Sequence, residues 1–252
     1  MKIIAITRAV PAALAECELT YQTRVPIDVG RARRQHAEYQ RVLQQHGYDV
    51  IELPEAPELA DSVFVEDAAI VLDECAVITR PGAASRRPEV PTIRAALAPF
   101  RVLHEIREPA TLDGGDVLIL GRSIFVGLSK RTNRAAVEQL REIVRGFDYE
   151  VIPVPIDGAL HLKSAITAAA DELVVIAAGT VDPAVFGKPY IEVDAEAANM
   201  LRLHDVVLCP PPAAHYIPQL AAEGINVQVV DNSELAKAEG GLTCCSLIFA
   251  SA

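Results

Sequence analysis

Three stretches of this 252-residue chain carry one signature at nearly even intervals: two short apolar runs joined by a turn dipeptide. Val63–Arg80 turns at Asp73-Glu74, Val117–Gly127 at Gly121-Arg122 and Ser164–Ala178 at Asp171-Glu172, so the turns stand 48 and then 50 residues apart. Apolar runs of this length around turn residues predict β-hairpins. Each of the first two hairpins leads through a helical segment into a further apolar run, Val102–Ile106 and Val151–Val154. A unit of hairpin, helix and returning strand that repeats every ~50 residues fits five times into the chain. Because the unit mixes helix with strand, it differs from a four-stranded propeller blade. A closed ring of such units would bring equivalent positions of every unit to one central axis. The alternative is an irregular α/β sheet in which three hairpins happen to be evenly spaced.

The helical segments follow from caps and periodicity. One helix is predicted from the N-cap Asp28 to about His46, stopped by Gly47, with Val29, Ala32, Tyr39, Val42 and Leu43 on one face. A second covers Thr132 to about Phe147, with Ala136, Val137, Leu140, Ile143 and Val144 on one face and Gly146 closing it. Weaker helical patterns lie near Pro91–Pro99, Ala195–Leu203 and Ala213–Glu223. No low-complexity stretch or Gly/Ser linker divides the sequence, so residues 1–252 read as a single domain.

Charge and cysteine content narrow the function. With 34 acidic against 23 basic residues the net charge is −11, which argues against a nucleic-acid binder, since that needs a basic stripe. It suits a cationic or zwitterionic small molecule instead. No apolar run approaches the ~20 residues of a membrane span, and the N-terminal Met-Lys-Ile-Ile-Ala-Ile-Thr-Arg reads as a strand without a signal-peptide pattern. A cytoplasmic protein is expected. Five cysteines without a CxxC pair argue against a disulfide framework and against a structural zinc site. In a strand, the adjacent Cys244 and Cys245 would point to opposite faces, so both are not expected in the core.

The polar residues that interrupt the apolar runs are not scattered. Glu66-Asp67 precedes the buried half of the first hairpin, and Asp113-Gly114-Gly115-Asp116 opens the second. His161-Leu-Lys163-Ser164 opens the third, and Gly240-Gly241-Leu-Thr-Cys244-Cys245-Ser precedes the C-terminal strand. In a ring of repeats these points converge at one end, bringing together a thiol, an imidazole and carboxylates, the groups of covalent thiol catalysis. Each has a structural reading as well. Asp113 and Asp116 could cap a Gly-Gly turn, His161 could be a satisfied core histidine, and Cys244 a small core residue. The same His, Cys and Asp set lacks the compact spacing of a metal site.

The segments around Glu66-Asp67, Arg86-Arg87, Asp113-Gly-Gly-Asp, Arg131-Thr-Asn, His161-Leu-Lys-Ser and Cys244-Cys-Ser, in this order from Arg8 to Ser246, resemble the dimethylarginine dimethylaminohydrolase family of guanidino-group-modifying enzymes. The resemblance implies a five-fold pseudosymmetric α/β propeller of ββαβ repeats, supporting the ring over the irregular sheet. It implies hydrolysis of N-omega-methylated L-arginine to L-citrulline and methylamine or dimethylamine through a cysteine S-alkylthiouronium. It further implies Cys244 as nucleophile, His161 as general acid and base, and Asp113 as the group that orients the imidazole. Asp67, with Glu66 behind it, is implied as the guanidinium ligand. Arg86 and Arg131 are implied to grip the α-carboxylate, and Asp61 with the backbone around Ala238 and Glu239 to meet the α-amine. Leu19 would sit on a lid, and Cys245 would pack. No cofactor or metal is implied, and a homodimer stays open. An arginine-cleaving relative that releases ammonia is the alternative within the class. A non-catalytic amino-acid-binding protein on the same scaffold is the alternative outside it.

Overall fold

The computed structural model describes residues 2–251 and arranges the hairpins into five three-stranded sheets. In chain order the elements begin with β1 (Ile3–Arg8), α1 (Val29–Gln45) and β2 (Tyr48–Leu53). The first hairpin unit is β3 (Ala69–Val71), β4 (Ala76–Ile78), α2 (Val90–Leu97) and β5 (Leu103–Glu105). The second is β6 (Val117–Leu120), β7 (Ser123–Leu128), α3 (Arg134–Val144) and β8 (Glu150–Pro155). After the single turn α4 (Leu162–Ala165) the third unit runs β9 (Ile166–Ala170), β10 (Leu173–Ala177) and β11 (Tyr190–Val193). The fourth is β12 (Leu201–Arg202), β13 (Val207–Cys209), α5 (Ile217–Ala222) and β14 (Val227–Val229), followed by α6 (Ser233–Ala236) and β15 (Leu247–Ala250).

In each sheet the middle strand pairs antiparallel with one neighbour and parallel with the strand that returns. This holds for β4 between β3 and β5, β7 between β6 and β8, β10 between β9 and β11, and β13 between β12 and β14. The fifth unit joins the two ends of the chain, with β15 antiparallel to β1 and β1 parallel to β2. The ring is closed by that sheet, and the fold is a five-fold pseudosymmetric α/β propeller.

Middle strands are covered on both faces, so they read as continuous apolar runs. Every residue of β4, β10 and β13 is buried. The helices cover the outside. Asn133 caps α3 by accepting the Ala136 N–H at 3.2 Å, and Ala136, Val137, Leu140 and Val144 pack with Ile124, Val126 and Val151. Burying one such leucine contributes about 2 kcal/mol. Asp28 caps α1 by accepting from Arg31, and Gly47 takes φ 84° after its end.

Several elements differ from the sequence expectation, each for a local reason. Residues Val65–Ala68 form a 3-10 turn rather than strand, which lets Asp67 meet the buried Arg86 and Glu66 the half-buried Lys163. The segment Ala195–Leu203 is helical only at Ala195–Ala197. Thr167 bends it by donating its hydroxyl to Ala198 O at 2.7 Å and accepting the Met200 N–H at 3.2 Å. The third unit replaces its helix with a 3-10 turn at Pro183–Phe186, capped by Asp182 and ended by Gly187 in the left-handed region. Cys244 and Cys245 lie in a 3-10 turn at Thr243–Cys245, and both are buried, because the turn does not alternate its side chains as a strand would. Among the described residues no helix is long and apolar enough to cross a membrane.

Candidate active site

The turn leading into the first strand of each unit carries the polar residues. Asp67 precedes β3, Asp113 precedes β6, His161 precedes β9, Asn199 precedes β12 and Cys244 precedes β15. His161 is the most constrained of them. Its Nε2 lies 3.0 Å from Asp113 Oδ2, and its Nδ1 lies 3.8 Å from Asp67 Oδ1. The approach is so close that a Cβ at Gly115 would stand 2.7 Å from Asp67 Oδ1 and 2.8 Å from His161 Nδ1, so only glycine fits. Asp113 is fixed in turn by the Gly82 N–H at 2.8 Å. Asp116 accepts the Leu162 N–H at 2.9 Å and the Ser129 hydroxyl at 2.6 Å, which anchors the turn that begins at His161.

Burial alone would lower the His161 pKa, but Asp67, Asp113 and Asp116 outweigh it and raise it to about 9. Burial would raise the Asp67 carboxyl, yet His161, the Arg86 guanidinium and the Gly115 N–H hold it below the usual carboxylate range. Asp116 goes the other way: burial pushes it up to about 6 against the pull of His161 and the Ser129 and Thr132 hydroxyls. Burial also drives the Cys244 thiol well above its ordinary value, with Glu66 and Asp67 adding to the rise and the Gly241 N–H, 3.3 Å from Sγ, opposing it. The unliganded site therefore pairs a neutral thiol with a charged imidazole at neutral pH.

Asp61, Asp67, Arg86, Arg131, His161, Ala238, Glu239 and Cys244 line one cavity of about 20 Å³. Asp113 stands behind the imidazole. Glu66 is not part of the lining: it is bound by Lys163 Nζ and by the Thr243 hydroxyl at 2.8 Å. Leu19 is also outside the lining and packs, half-buried, against the core, while the neighbouring Glu18 reaches the cavity. Arg86 spends most of its donors on the protein, pairing with Asp67 and Glu89 and donating to the carbonyls of Asp61 and Phe64. Arg131 is freer, with its guanidinium on the Thr20 hydroxyl at 3.2 Å. Cys245 faces away, its thiol pushed up to about 12 by burial and Glu66. Asp67, Asp113 and His161 are near enough to share a cation, their ligand atoms lying within 4.8 Å of one another. One oxygen of Asp67 is already taken by Arg86, and the imidazole Nε2 by Asp113.

Residues 18–25 run as a strap beside this cavity. Asp61 accepts the Glu18 N–H at 3.1 Å. The Glu239 carboxylate accepts three successive strap N–H groups, from Thr20 at 2.9 Å, Tyr21 at 2.6 Å and Gln22 at 2.7 Å. Glu239 reaches them from the left-handed region, at φ 59°. On the far side Tyr21, Gln22, Thr23 and Val25 help to line a larger cavity of about 820 Å³. Sequence reasoning named Glu239 only for its backbone, placed Lys163 at the converging turn without a role, and missed Asn199. Asn199 follows His161 by only 38 residues, because the third unit lacks its helix, and this broke the period that would have revealed it.

A family described as "N,N dimethylarginine dimethylhydrolase, eukaryotic" matches residues 18–187. The N(G),N(G)-dimethylarginine dimethylaminohydrolase of Streptomyces coelicolor is 38% identical over 246 residues, covering 96% of this chain and 95% of that protein. The solved Pseudomonas aeruginosa enzyme, a cysteine-to-serine mutant complexed with citrulline, superposes with a TM-score of 0.93 at 31% identity, over 99% of this chain and 100% of that one. A dimethylarginine dimethylaminohydrolase adduct with S-methyl-L-thiocitrulline gives the same TM-score at 30% identity, over 99% and 100% of the two chains. Fold and site thus define an α/β-propeller hydrolase of the guanidino-group-modifying class. Within it, the chain belongs to the dimethylarginine dimethylaminohydrolase family.

Two expectations follow from the charges. A histidine raised from about 6.5 to about 9 stabilises the fold fully below pH 6.5 and loses that contribution as pH rises to 9. The melting temperature of the wild type should therefore exceed that of His161→Ala by a margin that narrows between pH 6.5 and 9; a constant or widening margin would contradict the buried imidazolium. The strap should loosen in Glu239→Gln, whose amide accepts fewer of the three N–H groups. At roughly 1–3 kcal/mol for such charge-assisted bonds, tryptic cleavage after Arg24 should accelerate about tenfold. Unchanged cleavage would show that Glu239 does not hold the strap.

Proposed function

We propose that this chain hydrolyses N-omega-methylated L-arginine to L-citrulline, releasing methylamine or dimethylamine, with Cys244 as nucleophile. The observation that carries the reading is the placement of a thiol, an imidazolium and a carboxylate around one cavity in a member of this family. Two of its solved relatives hold citrulline or a thiocitrulline adduct.

The electrostatics supply the order of events. A carboxylate has about four lone-pair sites, and Arg86 and Gly115 use two of those on Asp67, leaving acceptors for a guanidinium. Burial, with Glu66 and Asp67, holds the Cys244 proton; a cation bound at Asp67 offsets the two carboxylates, and the thiol gives its proton to solvent as the thiolate forms. Sulfur attacks the guanidinium carbon, and the tetrahedral intermediate collapses by breaking the bond to the substituted nitrogen. His161, charged at neutral pH, gives its proton to the departing amine. The imidazole, now neutral, takes a proton from water. The resulting hydroxide adds to the thiouronium carbon, the C–S bond breaks as the new hydroxyl passes its proton to the departing sulfur, and citrulline leaves with the thiol and the imidazolium restored. Asp113 keeps the ring oriented and stabilises its charged form throughout.

Binding the rest of the amino acid requires the strap to move. A cavity of about 20 Å³ has room for about one water molecule, far less than an arginine. Arg131 is the better placed cation for the α-carboxylate, since Arg86 is committed to Asp67 and Glu89. Asp61 and Glu239 stand on the side where the α-ammonium would lie. The proposed steps call on no cofactor: thiol, imidazole, carboxylates and solvent water supply every bond and proton they need.

A colorimetric citrulline assay with monomethylated, dimethylated and plain arginine tests the reading. Citrulline should form from the methylated substrates, with Cys244→Ser reducing kcat by at least about a thousandfold and Cys245→Ser by less than about threefold. Release of ammonia from plain arginine as the dominant activity would overturn the substrate assignment. Equal losses from the two serine variants would overturn the choice of nucleophile.

A further inference from the structure

We propose that Asn199 is a positioning residue that locks the turn bearing Cys244 to the turn bearing His161. The inference rests on the thiol-hydrolase reading above. In four of the five units the turn before the first strand brings Asp67, Asp113, His161 and Cys244 to the site; in the fourth unit the same place holds Asn199.

The Asn199 amide makes three hydrogen bonds. Its Nδ2 donates to the Lys163 carbonyl at 2.9 Å and to Thr243 Oγ1 at 3.1 Å, and its Oδ1 accepts the Thr243 N–H at 3.0 Å. Lys163 lies two residues beyond His161, and Thr243 immediately precedes Cys244. The Thr243 hydroxyl in turn donates to Glu66 Oε2 at 2.8 Å, and Lys163 Nζ binds the other oxygen of Glu66. Asn199, Thr243, Glu66 and Lys163 therefore form a closed hydrogen-bonded ring through the turns of four units. The Thr243 hydroxyl works both ways, as donor to Glu66 and acceptor from Asn199.

Only an amide of this length serves. It needs a donor and an acceptor on one planar end, which aspartate does not offer and alanine lacks altogether. Gly241 fixes the fit from the other side, because a Cβ there would overlap the Asn199 amide. The Gly241 N–H is the group that reaches Cys244 Sγ. Asn199 thus backs the peptide that bonds the thiol and holds the peptide before Cys244, and it ties both to the histidine turn. It is absent from the lining of the small cavity and faces the larger one, so it acts through its neighbours rather than on the substrate.

The test measures Asn199→Ala and Asn199→Asp in steady-state citrulline formation and in alkylation of Cys244 by iodoacetamide without substrate, read by peptide mass spectrometry across pH. Loss of alignment between nucleophile and acid should lower kcat about 10- to 100-fold in both variants, with KM within about threefold of the wild type. The pH midpoint of alkylation should move upward, since the Gly241 N–H that favours the thiolate is no longer held. Thr243→Val should lose a similar factor, and the Asn199→Ala/Thr243→Val double variant should be no worse than the poorer single, because both belong to one ring. A lower melting temperature with kcat and the alkylation midpoint unmoved would overturn the proposal, as would losses that multiply in the double variant. The alkylation midpoint needs no substrate, so it remains readable if the wild type makes no citrulline, a result that would sink the hydrolase reading alone. If Asn199→Ala does not fold, Asn199→Asp and Thr243→Val carry the same test.

Discussion

A charged imidazole buried among carboxylates is the interaction on which the rest of this molecule depends. Taking a lone cation out of water costs several kcal/mol even after relaxation, a sizeable part of a domain's total stability. His161 tolerates burial because Asp113 holds Nε2 while Asp67 and Asp116 supply further negative charge. Three carboxylates around one imidazole then create the opposite problem. Arg86 answers it for Asp67, and the Gly82 N–H serves Asp113. The Ser129 hydroxyl and the Leu162 N–H serve Asp116. What remains is a cavity lined by carboxylates, beside a thiol whose proton burial, Glu66 and Asp67 hold. Charge compensation and substrate selection are the same arrangement seen from two sides.

The strap adds a second link between binding and closure. Asp61 and Glu239 both line the small cavity, and both accept backbone N–H groups of residues 18–22. In the proposed function an ammonium group and the strap would draw on the same two carboxylates, which would couple recognition of the amine to closure through shared acceptors.

Much of this was legible in the sequence, and the limits were physical. Hairpins at Asp73-Glu74, Gly121-Arg122 and Asp171-Glu172 announced themselves through turn chemistry and buried apolar runs; their even spacing raised a ring beside an irregular sheet, and the family resemblance favoured the ring. The fourth hairpin did not, because β12 is two residues long and its approach carries a helical pattern that Thr167 overrides through tertiary hydrogen bonds. Asp113, His161 and Cys244 stood out as chemistry-bearing residues at equivalent turns. Asn199 did not, since an asparagine in a loop carries no signal until its partners on two other turns are seen. Pairings across the ring were equally hidden. Sequence separates Arg86 from Asp67 by 19 residues and Glu239 from Tyr21 by 218, and no local pattern reports that the first pair is closed off or that the second latches a strap.

The central claim is that Cys244 forms a covalent bond to the guanidinium carbon while the charged imidazole releases the amine. Acid quenching during turnover, followed by mass analysis of the Cys244 peptide, tests it most directly. Monomethylated arginine and the dimethylated arginine that carries both methyl groups on one nitrogen should leave adducts of one and the same mass on Cys244, because the methyl groups depart with the amine before water enters. An adduct on Cys245, or two adducts that differ by a methyl group, would contradict the mechanism.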